Sequence, residues 1–533
     1  MKQYKESHVL LWMVLVGLLI GFLISVITEN ISLKRQRSVA AVSKFDEVMY
    51  HINADYVDAV NGKKMEEEAI IDMMEQLDPH SQYISLEEFN AVNDPLLGSF
   101  EGIGVQFRIV EDTVTIINTI KGGPSEKVGI LAGDRIVYVN DSLIAGVKIK
   151  NDSVMRLLKG PKGTQVRVKN YRRGVEGLQE FTITRDVIPT YSVDIAYMLD
   201  DKTGYLKLSK FSATTYKEFM KGVKKLKEEG MERLVFDLRG NTGGYLSEAV
   251  DIADEFLPKG SLVVFTEGKS RSRTVFNARR KGSLETIPVA VLIDGESASA
   301  SEIVAGALQD NDRGVIVGRR SFGKGLVQEQ IMLSDQSAIR LTVARYYTPT
   351  GRCIQKPFDG DKEEYLYESY DRYENGELFS ADSVHFADSL KYTTPKGKVV
   401  YGGGGIMPDV YVPLVDDSTE YYFNRITNLG ILYQYAFDYC DRHRQELNRF
   451  KSVEDFNKSF KVTDAMFNEL VKKAEEKGVK GSEVEKKVAR GKANVLLKAY
   501  IARDIFDDAG FYPIYAPMDE VLQKALEVIN DQE

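Results

Sequence analysis

Residues 203–350 alternate between segments with the pattern of strands and segments with the pattern of helices, and this alternation constrains the fold more than any other feature. Nearly continuous apolar segments such as RLVFDL and VAVLID are typical of strands buried on both faces. Amphipathic segments such as YKEFMKGVKKLKEEG and SEIVAGALQD separate them. Since strands joined through helices run parallel within one sheet, the pattern predicts a layered α/β domain around a largely parallel sheet.

Composition excludes several other classes of protein. The 533 residues suffice for several domains, and 43% hydrophobic with 28% charged residues is the balance of an ordinary folded chain. The chain has a formal net charge of −9, whereas nucleic-acid-binding proteins carry an excess of basic residues, so we expect no nucleic-acid partner. The two cysteines, Cys353 and Cys440, are too few for a disulfide framework or a cysteine-rich zinc site, and whether they pair is left open.

The amino terminus carries an apolar segment with no charged residue from Val9 to Thr28. A helix of about 20 residues is long enough to cross the hydrocarbon core of a membrane. The segment lacks the small-residue cleavage site of a signal peptide, so it predicts an uncleaved membrane helix, with a buried core helix as the alternative. Lysine and arginine flank the segment on both sides, and they leave its orientation undetermined.

Changes of pattern along the chain predict five regions. Residues near 355–395 are acidic and rich in tyrosine, and we expect them to form a solvated surface insertion. The predicted regions are a membrane anchor at 1–37, a helical amino-terminal domain at 38–97, a β-rich domain at 98–185, an α/β core at 186–417 that includes the insertion, and a helical carboxyl-terminal domain at 418–533.

A glycine-rich motif opens the β-rich domain. Glycines at positions 102 and 104 allow the backbone N–H groups of Gly102, Ile103, Gly104 and Val105 to converge on an anion, and an exposed strand edge beyond them can accept an extended peptide. Together with GPSEKVGI and GDRIVYVN, the motif resembles a PDZ domain, with a glycine-rich β-barrel as the alternative. The resemblance predicts capture of a protein carboxyl terminus.

Ser299 stands where strand VAVLID gives way to helix EIVAGAL. The amino end of a helix offers backbone donors and a positive dipole, which suit a nucleophile whose reaction forms an oxyanion. The same residues also match a capping box, in which Ser299 and Glu302 only satisfy helix amides. This motif alone leaves both interpretations open.

Lys324 lies between Gly323 and Gly325, directly after the apolar strand GVIVG. Desolvation there would lower the pKa of its amine, as a lysine general base requires. The segment 318–324 also has the spacing of a phosphate-binding loop, but Gly325 stands where Ser or Thr would bind magnesium, and LVQEQIML is β-like. A histidine base would have to come from outside residues 203–350, because the histidines are His8, His51, His80, His385 and His443.

The motif DLRGNTGG lies at the end of a predicted strand. Its glycines allow backbone amides to point into a site, as an oxyanion hole requires, although a simple strand-to-helix turn would use the same residues.

In this order, the motifs LDPHSQYIS, FEGIGVQF, DLRGNTGG, SASASEIVAGALQD, SFGKGLVQ and GGGGIMPD resemble the carboxyl-terminal processing peptidases, or tail-specific proteases. These are serine proteases with a Ser/Lys dyad and a PDZ domain. The resemblance, over about residues 38–415, implies a crotonase-like (ClpP/crotonase-type) α/β core with the PDZ domain inserted before it. It implies Ser299 as nucleophile, Lys324 as base, Gln328 as the residue that orients the base, and the amides of Ala300 and Gly243 as oxyanion donors.

We therefore expect a membrane-anchored serine endopeptidase whose catalytic part lies outside the cytoplasm, on the periplasmic side of the inner membrane in a Gram-negative bacterium. The PDZ domain would hold the free, apolar carboxyl terminus of a substrate protein, and no metal or cofactor is needed. A homodimer is left open, and the alternative function is a non-catalytic peptide- or ligand-binding protein on the same fold. Lys159 departs from the family pattern, since relatives often carry an arginine at this position that couples the PDZ domain to the active site.

Overall fold

The structure is a computed structural model that describes residues 43–415 and 420–531. The chain divides into two compact units, residues 1–77 and 78–533. The first contains helices α1 (Lys44–Asp55) and α2 (Gly62–Glu75). Ser43 and Asp46 form a capping box at the start of α1.

The predicted membrane helix at Val9–Thr28 lies outside the described residues. Within residues 43–415 and 420–531, no helix combines the length and the apolar character that a membrane crossing requires.

The second unit begins at Asp78, inside the region expected to be a helical amino-terminal domain. Strand β1 (Gln82–Ile84) pairs antiparallel with β18 (Ala338–Tyr347), and helix α3 (Phe89–Leu97) follows it. The predicted domain at 38–97 therefore differs from the structure after Leu77, because the LDPHSQYIS segment joins a sheet of the core.

A β-rich domain follows, close to the predicted residues 98–185. Strands β2 and β9 pair antiparallel, which brings the entry and exit of the domain together, as an insertion requires. Strand β3 lies at the edge of the main sheet, whose order is β3-β4-β5-β7-β8. The elements are β2 (Ser99–Gly102), β3 (Val105–Val110), β4 (Thr113–Thr119), α4 (Pro124–Lys127), β5 (Arg135–Val139), β6 (Ser142–Leu143), α5 (Asn151–Leu158), β7 (Gln165–Tyr171), β8 (Leu178–Thr184) and β9 (Asp186–Pro189).

The core contains the sheet that the strand–helix alternation predicts. Its order is β10-β11-β12-β15-β16-β21, and every pair except β10–β11 is parallel. The core elements are β10 (Val193–Met198), β11 (Thr203–Leu208), α6 (Thr215–Glu228), β12 (Arg233–Asp237), α7 (Leu246–Asp254), β13 (Leu262–Gly268), β14 (Arg271–Asn277), β15 (Val289–Ile293), α8 (Ala300–Asp310), β16 (Val315–Gly318), β17 (Leu326–Met332), β18, α9 (Lys362–Glu374), β19 (Lys391–Thr393), β20 (Val399–Tyr401) and β21 (Val410–Tyr411).

A second core sheet contains β1, β18, β13 and β14, with β17 also paired to β18. Its contacts are antiparallel. The sequence patterns indicate β13 and the β-like character of β17, but they do not predict β14 or β18.

Helices follow residue 420, as the amphipathic patterns predict. Residues such as Leu432, Phe456, Leu470 and Leu497 form a buried cluster of their own. The helices are α10 (Tyr421–Asn428), α11 (Ile431–Leu447), α12 (Val453–Ser459), α13 (Asp464–Glu476), α14 (Glu483–Phe506), α15 (Asp508–Tyr515) and α16 (Glu520–Asn530).

The last helix, α16, packs on the parallel sheet. Successive side chains of a strand point to opposite faces. In β12, Leu234 and Phe236 therefore belong to the cluster formed with α6, α7 and α8, whereas Val235 belongs to the cluster that includes Leu522 and Ile529 of α16. The sheet is thus covered by helices on both faces.

The carboxyl-terminal helices also contact the β-rich domain. Asp441 of α11 lies 3.3 Å from the Arg135 guanidinium and 3.6 Å from that of Arg173. Arg108 of β3 stacks over the Tyr433 ring at 4.3 Å. These contacts link the carboxyl-terminal helices to β3 and β5.

The question of a disulfide is answered by the structure. Cys353 and Cys440 are both free thiols.

Arg239 joins the end of β12 to the start of α16. Its guanidinium donates to Asp519, the N-cap of α16, at 2.7 and 2.8 Å, and to Asp237 Oδ2 at 2.6 Å. Asp237 is completely buried. Although burial alone would raise its pKa, Arg239 and Lys207 hold the pKa of this carboxyl well below its ordinary value.

Replacing Arg239 should destabilise the core strongly. Arg239→Met removes the guanidinium that Asp237 and Asp519 share, and breaking a buried ion pair in this way costs about 3–5 kcal/mol. We expect a clearly lower urea midpoint. In the control Arg442→Met, the exposed pair with Glu469 should be worth about 1 kcal/mol or less. Equal midpoints for the two variants would contradict the importance assigned to Arg239.

Candidate active site

Three neighbouring parallel strands end at the same edge of the sheet. β12 ends at Asp237, β15 at Ile293 and β16 at Gly318, and β15 pairs with both of the others. The carboxyl ends of parallel strands are where open α/β sheets place their sites. The loops that follow carry Gly243, Ser299 and Lys324, so the structure brings these three predicted residues to one edge.

Ser299 is the residue before α8 and has a strained backbone, with φ 55° and ψ −112°. A positive φ at a residue other than glycine costs about 1–3 kcal/mol and persists only where the surroundings hold it. The Ser299 N–H donates to Glu302 Oε2 at 2.8 Å. Ser299 is partly exposed to solvent.

Glu302 is the centre of the hydrogen bonding at this edge. Its fully buried carboxylate accepts from the amides of Ser299 (2.8 Å), Gly323 (2.8 Å) and Lys324 (2.9 Å), and from the hydroxyl of Ser321 (2.5 Å). The first donor belongs to the start of α8, and the other three belong to the loop after β16. Glu302 thus makes the contact expected of a capping box, and it also joins the Ser299 turn to the Lys324 loop.

Two features of its surroundings have opposite effects on the pKa of Glu302. Burial raises the pKa of Glu302 to about 7, whereas the Ser321 hydroxyl and the three backbone amides oppose that rise. Since all four neighbours are donors, the ionised carboxylate is the form that these bonds fit.

Tyr346 of β18 makes a second link between the same two segments. Its buried hydroxyl lies 2.5 Å from the Lys324 carbonyl oxygen and 3.1 Å from the Ser299 carbonyl oxygen. A hydroxyl has one proton, so it donates to one of these carbonyls at a time. Glu302 holds the amides of Ser299 and Lys324, and Tyr346 holds their carbonyls.

The Lys324 side chain contacts the residue predicted to orient it. Its Nζ donates to Gln328 Oε1 at 3.1 Å. Burial, and then the Arg340 guanidinium, lower the pKa of the Lys324 ammonium group, while Asp78 and Glu302 oppose the shift. Among the hydrogen bonds of the described residues, none joins Ser299 Oγ to Lys324 Nζ, and catalytic hydrogen bonds commonly tighten only when substrate binds.

The loop after β12 packs directly against Ser299. At Gly243, where φ is 101°, an added Cβ would lie 2.8 Å from the Ala298 carbonyl oxygen and 3.0 Å from the Ala300 nitrogen, so only glycine fits. The Gly243 N–H donates to Asn241 Oδ1 at 2.9 Å. Its predicted role as an oxyanion donor therefore requires that amide to exchange Asn241 for the substrate oxygen. Ala300, the other predicted donor, is the first residue of α8.

His80 enters the site from the LDPHSQYIS segment, which sequence reasoning did not place there. Its carbonyl oxygen accepts from Gln328 Nε2, and its ring Nε2 lies 2.9 Å from the Tyr365 hydroxyl. Burial, and then the charge of Lys324, lower the pKa of His80 to about 4, so the ring is neutral at pH 7. The sequence signal that could have placed His80 in the site is that LDPHSQYIS is one of the ordered motifs of the family resemblance.

The phosphate-binding interpretation of residues 318–324 is wrong. The loop is followed by strand β17, which pairs with β18, whereas a phosphate-binding loop opens a helix. The part of the chain that the structure describes also holds no group of three or more His, Cys, Asp or Glu side chains arranged to bind a metal ion.

A groove of about 450 Å³ lies beside the predicted carboxylate-binding loop of the β-rich domain. Ile103, Gly104 and Val105 line it, together with Phe107 of β3 and Leu158 of α5. Gly102 is buried in β2, next to the loop. Because β3 is an edge strand, an extended peptide can add to the sheet here.

Lys159 also lines this groove. Its Nζ donates to Asp94 of α3 at 2.7 Å and lies 4.9 Å from the centre of the Phe100 ring. The lysine thus links the groove to α3.

The β-rich domain with its edge groove, and the serine and lysine at the edge of the parallel sheet, define a PDZ-containing peptidase of the serine type. Comparison with known proteins agrees with this class. The model of Peptidase family S41 matches residues 202–363, and the PDZ domain model matches residues 102–183. Residues 422–507 match a family of unknown function (DUF8443).

Curated relatives include a carboxy-terminal-processing protease of Bartonella bacilliformis, 36% identical over 62% of this chain and 75% of that protein. The carboxy-terminal processing protease CtpA of Bacillus subtilis is 35% identical over 62% of this chain and 71% of that protein. Among solved structures, the photosystem II D1 C-terminal processing protease is 26% identical, with a TM-score of 0.36, over 70% of this chain and 88% of that one. The chain belongs to the carboxy-terminal processing proteases of peptidase family S41 and is a serine-type peptidase.

Replacing Glu302 with glutamine should disrupt the site. The glutamine amide nitrogen cannot accept the donors that now meet one carboxylate oxygen, and each buried donor left without an acceptor costs about 1–3 kcal/mol. We expect Glu302→Gln to lower the unfolding temperature and, because small misplacements of reacting groups can cost about 100-fold, to lower kcat by that order.

The matched control is Glu296→Gln, on the exposed part of the same turn. It should leave both quantities unchanged. Wild-type turnover by Glu302→Gln would show that the carboxylate does not align the site.

Proposed function

We propose that this peptidase cleaves substrate proteins near their carboxyl termini with Ser299 as nucleophile and Lys324 as general base. The observation that carries the proposal is the shared attachment of the two residues. The strained Ser299 turn and the Lys324 loop both donate to the Glu302 carboxylate, and burial lowers the pKa of the Lys324 ammonium group.

The reaction begins with transfer of a proton from Ser299 Oγ to the neutral Lys324 amine, while Oγ attacks the carbonyl carbon of the scissile bond. Lys324 Nζ must turn from Gln328 toward Ser299 for this step. The oxyanion that forms is stabilised by the amides of Ala300 and Gly243. Lys324 then gives its proton to the leaving amine, which departs as the acyl-enzyme forms.

Deacylation uses the same groups. Neutral Lys324 accepts a proton from a water molecule, which attacks the acyl carbon and forms a second oxyanion. Lys324 returns its proton to Ser299 Oγ when the new carboxyl group leaves. Gln328 holds the amine between these steps.

The PDZ domain supports recognition of the carboxyl termini of substrate peptides. We propose that the substrate terminus meets the backbone of Gly102, Ile103, Gly104 and Val105 and extends along β3. The apolar lining, with Phe107 and Leu158, favours an apolar final side chain.

Other parts of the proposal concern setting and architecture. The uncharged segment Val9–Thr28 supports a membrane anchor, with the catalytic part outside the cytoplasm and, in a Gram-negative bacterium, on the periplasmic side. The helix-covered parallel sheet supports a crotonase-like layering of the core. The proposed domains are the anchor at 1–37, the PDZ domain at 98–185, the core at 186–417 and the helical region at 418–533, while the amino-terminal helical region ends at Leu77 instead of residue 97. The proposal also includes a homodimer of this chain, which a measurement of the molecular mass in solution would test.

Removing either member of the dyad should abolish turnover of a fluorogenic peptide with a free, apolar carboxyl terminus. The protein is assayed as the full chain in detergent. Ser299→Ala should fall to background, and Lys324→Ala should lose about 10²–10⁴-fold in kcat, the usual contribution of general base catalysis.

The matched controls are Ser272→Ala and Lys269→Ala, both at exposed positions of the core. They should cleave as the wild type does, and the same peptide ending in a carboxamide should be a poorer substrate. Undiminished cleavage by Ser299→Ala would refute the dyad.

The pH dependence of kcat should report Lys324. The base works as the neutral amine, so activity rises with pH as Lys324 loses its proton, at a midpoint below the ordinary lysine value of 10.5. Because the Arg340 charge favours the neutral amine, Arg340→Gln should move the rising limb to higher pH.

Arg271→Gln is the control, since this exposed arginine of β14 pairs with Glu329. It should leave the limb in place. A limb that stays unchanged or moves to lower pH in Arg340→Gln would contradict the assignment of the base.

A further inference from the structure

The acidic segment near residues 355–395 does not lie wholly in solvent, contrary to expectation. Its helix α9 has an exposed face with Leu366, Tyr367 and Tyr370, but Tyr365 and Arg372 are buried at 5% exposure each. The buried face contacts the Lys324 loop and His80. The solvated-insertion hypothesis is therefore correct for one face of α9 and wrong for the other.

One side of the Tyr365 hydroxyl connects to the amine of Lys324. The hydroxyl lies 2.9 Å from His80 Nε2, and the His80 carbonyl oxygen accepts from Gln328 Nε2. Gln328 Oε1 accepts from Lys324 Nζ at 3.1 Å. The chain of contacts from α9 to the amine passes through two residues.

The other side of the same hydroxyl connects to the backbone after Lys324. Gln355 Nε2 donates to Tyr365 Oη at 3.1 Å, and Gln355 Oε1 accepts the Gly325 N–H at 2.8 Å. An added Cβ at Gly325 would lie 2.8 Å from the backbone nitrogen of Gln355, so the close approach of these two segments requires glycine at position 325. The contacts close into a hydrogen-bond ring of Tyr365, His80, Gln328, Lys324, Gly325 and Gln355.

Donor chemistry, together with the tautomer of His80, sets the direction of each bond in the hydrogen-bond ring. An amide nitrogen only donates, so Tyr365 Oη is the acceptor for Gln355 Nε2. The Tyr365 proton is then left for His80 Nε2, which accepts it when the neutral ring carries its own proton on Nδ1. Tyr365 Oη thus accepts one hydrogen bond and donates another, and a phenylalanine at position 365 would remove both bonds at once.

Two charged residues of the same segment, Arg372 and Lys356, also bind the Lys324 loop. The Arg372 guanidinium donates to the carbonyls of Ser321 (2.9 Å) and Phe322 (3.2 Å), which precede Gly323 and Lys324 in the loop. Lys356 Nζ lies 4.3 Å from the centre of the Phe322 ring and donates to the Tyr365 carbonyl at 2.9 Å. Arg372 and Lys356 therefore hold Tyr365 and the Lys324 loop in a fixed relative position, in addition to the hydrogen-bond ring.

We propose that Tyr365 is a positioning residue for the general base: through the hydrogen-bond ring it holds Gln328 and the Lys324 loop where the amine can alternate between Gln328 and Ser299. The proposal rests on the Ser/Lys mechanism proposed above. The match to Peptidase family S41 ends at residue 363, so Tyr365 lies in a segment outside that match.

Tyr365→Phe tests this directly, because it removes the hydroxyl and keeps the packed ring. With the full-length protein and the fluorogenic peptide, we expect kcat to fall about tenfold, which corresponds to about 1.4 kcal/mol of transition-state stabilisation. KM should stay within about twofold, since the PDZ groove is untouched. Tyr367→Phe, two residues away at 63% exposure, is the matched control and should equal the wild type.

A double-mutant cycle separates positioning from a general effect on the fold. His80→Ala removes the ring nitrogen that contacts the Tyr365 hydroxyl and keeps the carbonyl that binds Gln328. If Tyr365 acts through His80, the double variant loses less kcat than the product of the two single losses. Fully multiplicative losses would overturn the proposal, as would a kcat loss in Tyr365→Phe accompanied by a matching fall in unfolding temperature.

The same assays distinguish this inference from the proposed function. Absence of Ser299-dependent cleavage in the wild type would refute the mechanism itself. Ser299-dependent cleavage with an unchanged kcat in Tyr365→Phe would refute only the positioning role.

Discussion

The site depends on one buried carboxylate. Glu302 accepts an amide from the Ser299 turn and three donors from the Lys324 loop, two segments that meet only in the folded core. A buried carboxylate must be fully hydrogen-bonded or it destabilises the fold, so neither segment can move away without leaving donors and acceptor unsatisfied. The same bonds hold Ser299 at a positive φ that serine would not adopt by itself.

The surrounding architecture makes this arrangement rigid. Parallel strands bring three loops to one edge, and helices cover both faces of the sheet. Arg239 ties the loop after β12 to the last helix, and Tyr346 ties the Ser299 and Lys324 carbonyls to β18. The carboxyl-terminal helices also contact the PDZ domain, so the peptide-binding groove and the last helix of the core are parts of one unit.

Sequence reasoning reached the residues whose signals are local. Ser299, Lys324 and the DLRGNTGG loop each follow an apolar strand, and parallel pairing alone requires their loops to share an edge. Glu302 was seen as a capping residue, because a glutamate that caps a helix and one that also binds a distant loop have the same local sequence. The difference lies in the loop after β16, which only the tertiary structure brings to it.

The remaining parts of the site come from long-range contacts that no periodicity encodes. His80 lies 285 residues before its partner Tyr365. Tyr365 belongs to helix α9, whose acidic composition is typical of a solvated surface. One face of α9 is buried only because distant parts of the chain pack against it. Strands β14 and β18 were missed for a similar reason, since polar and charged residues interrupt their apolar pattern.

The most direct test of this account is a crystal structure of the Glu302→Gln protein. We predict that the Lys324 loop shifts away from the start of α8 and that Ser299 relaxes to a negative φ, because the shared acceptor is gone. A structure in which Ser299 keeps its positive φ and the Lys324 loop stays in place would show that other contacts align the two residues.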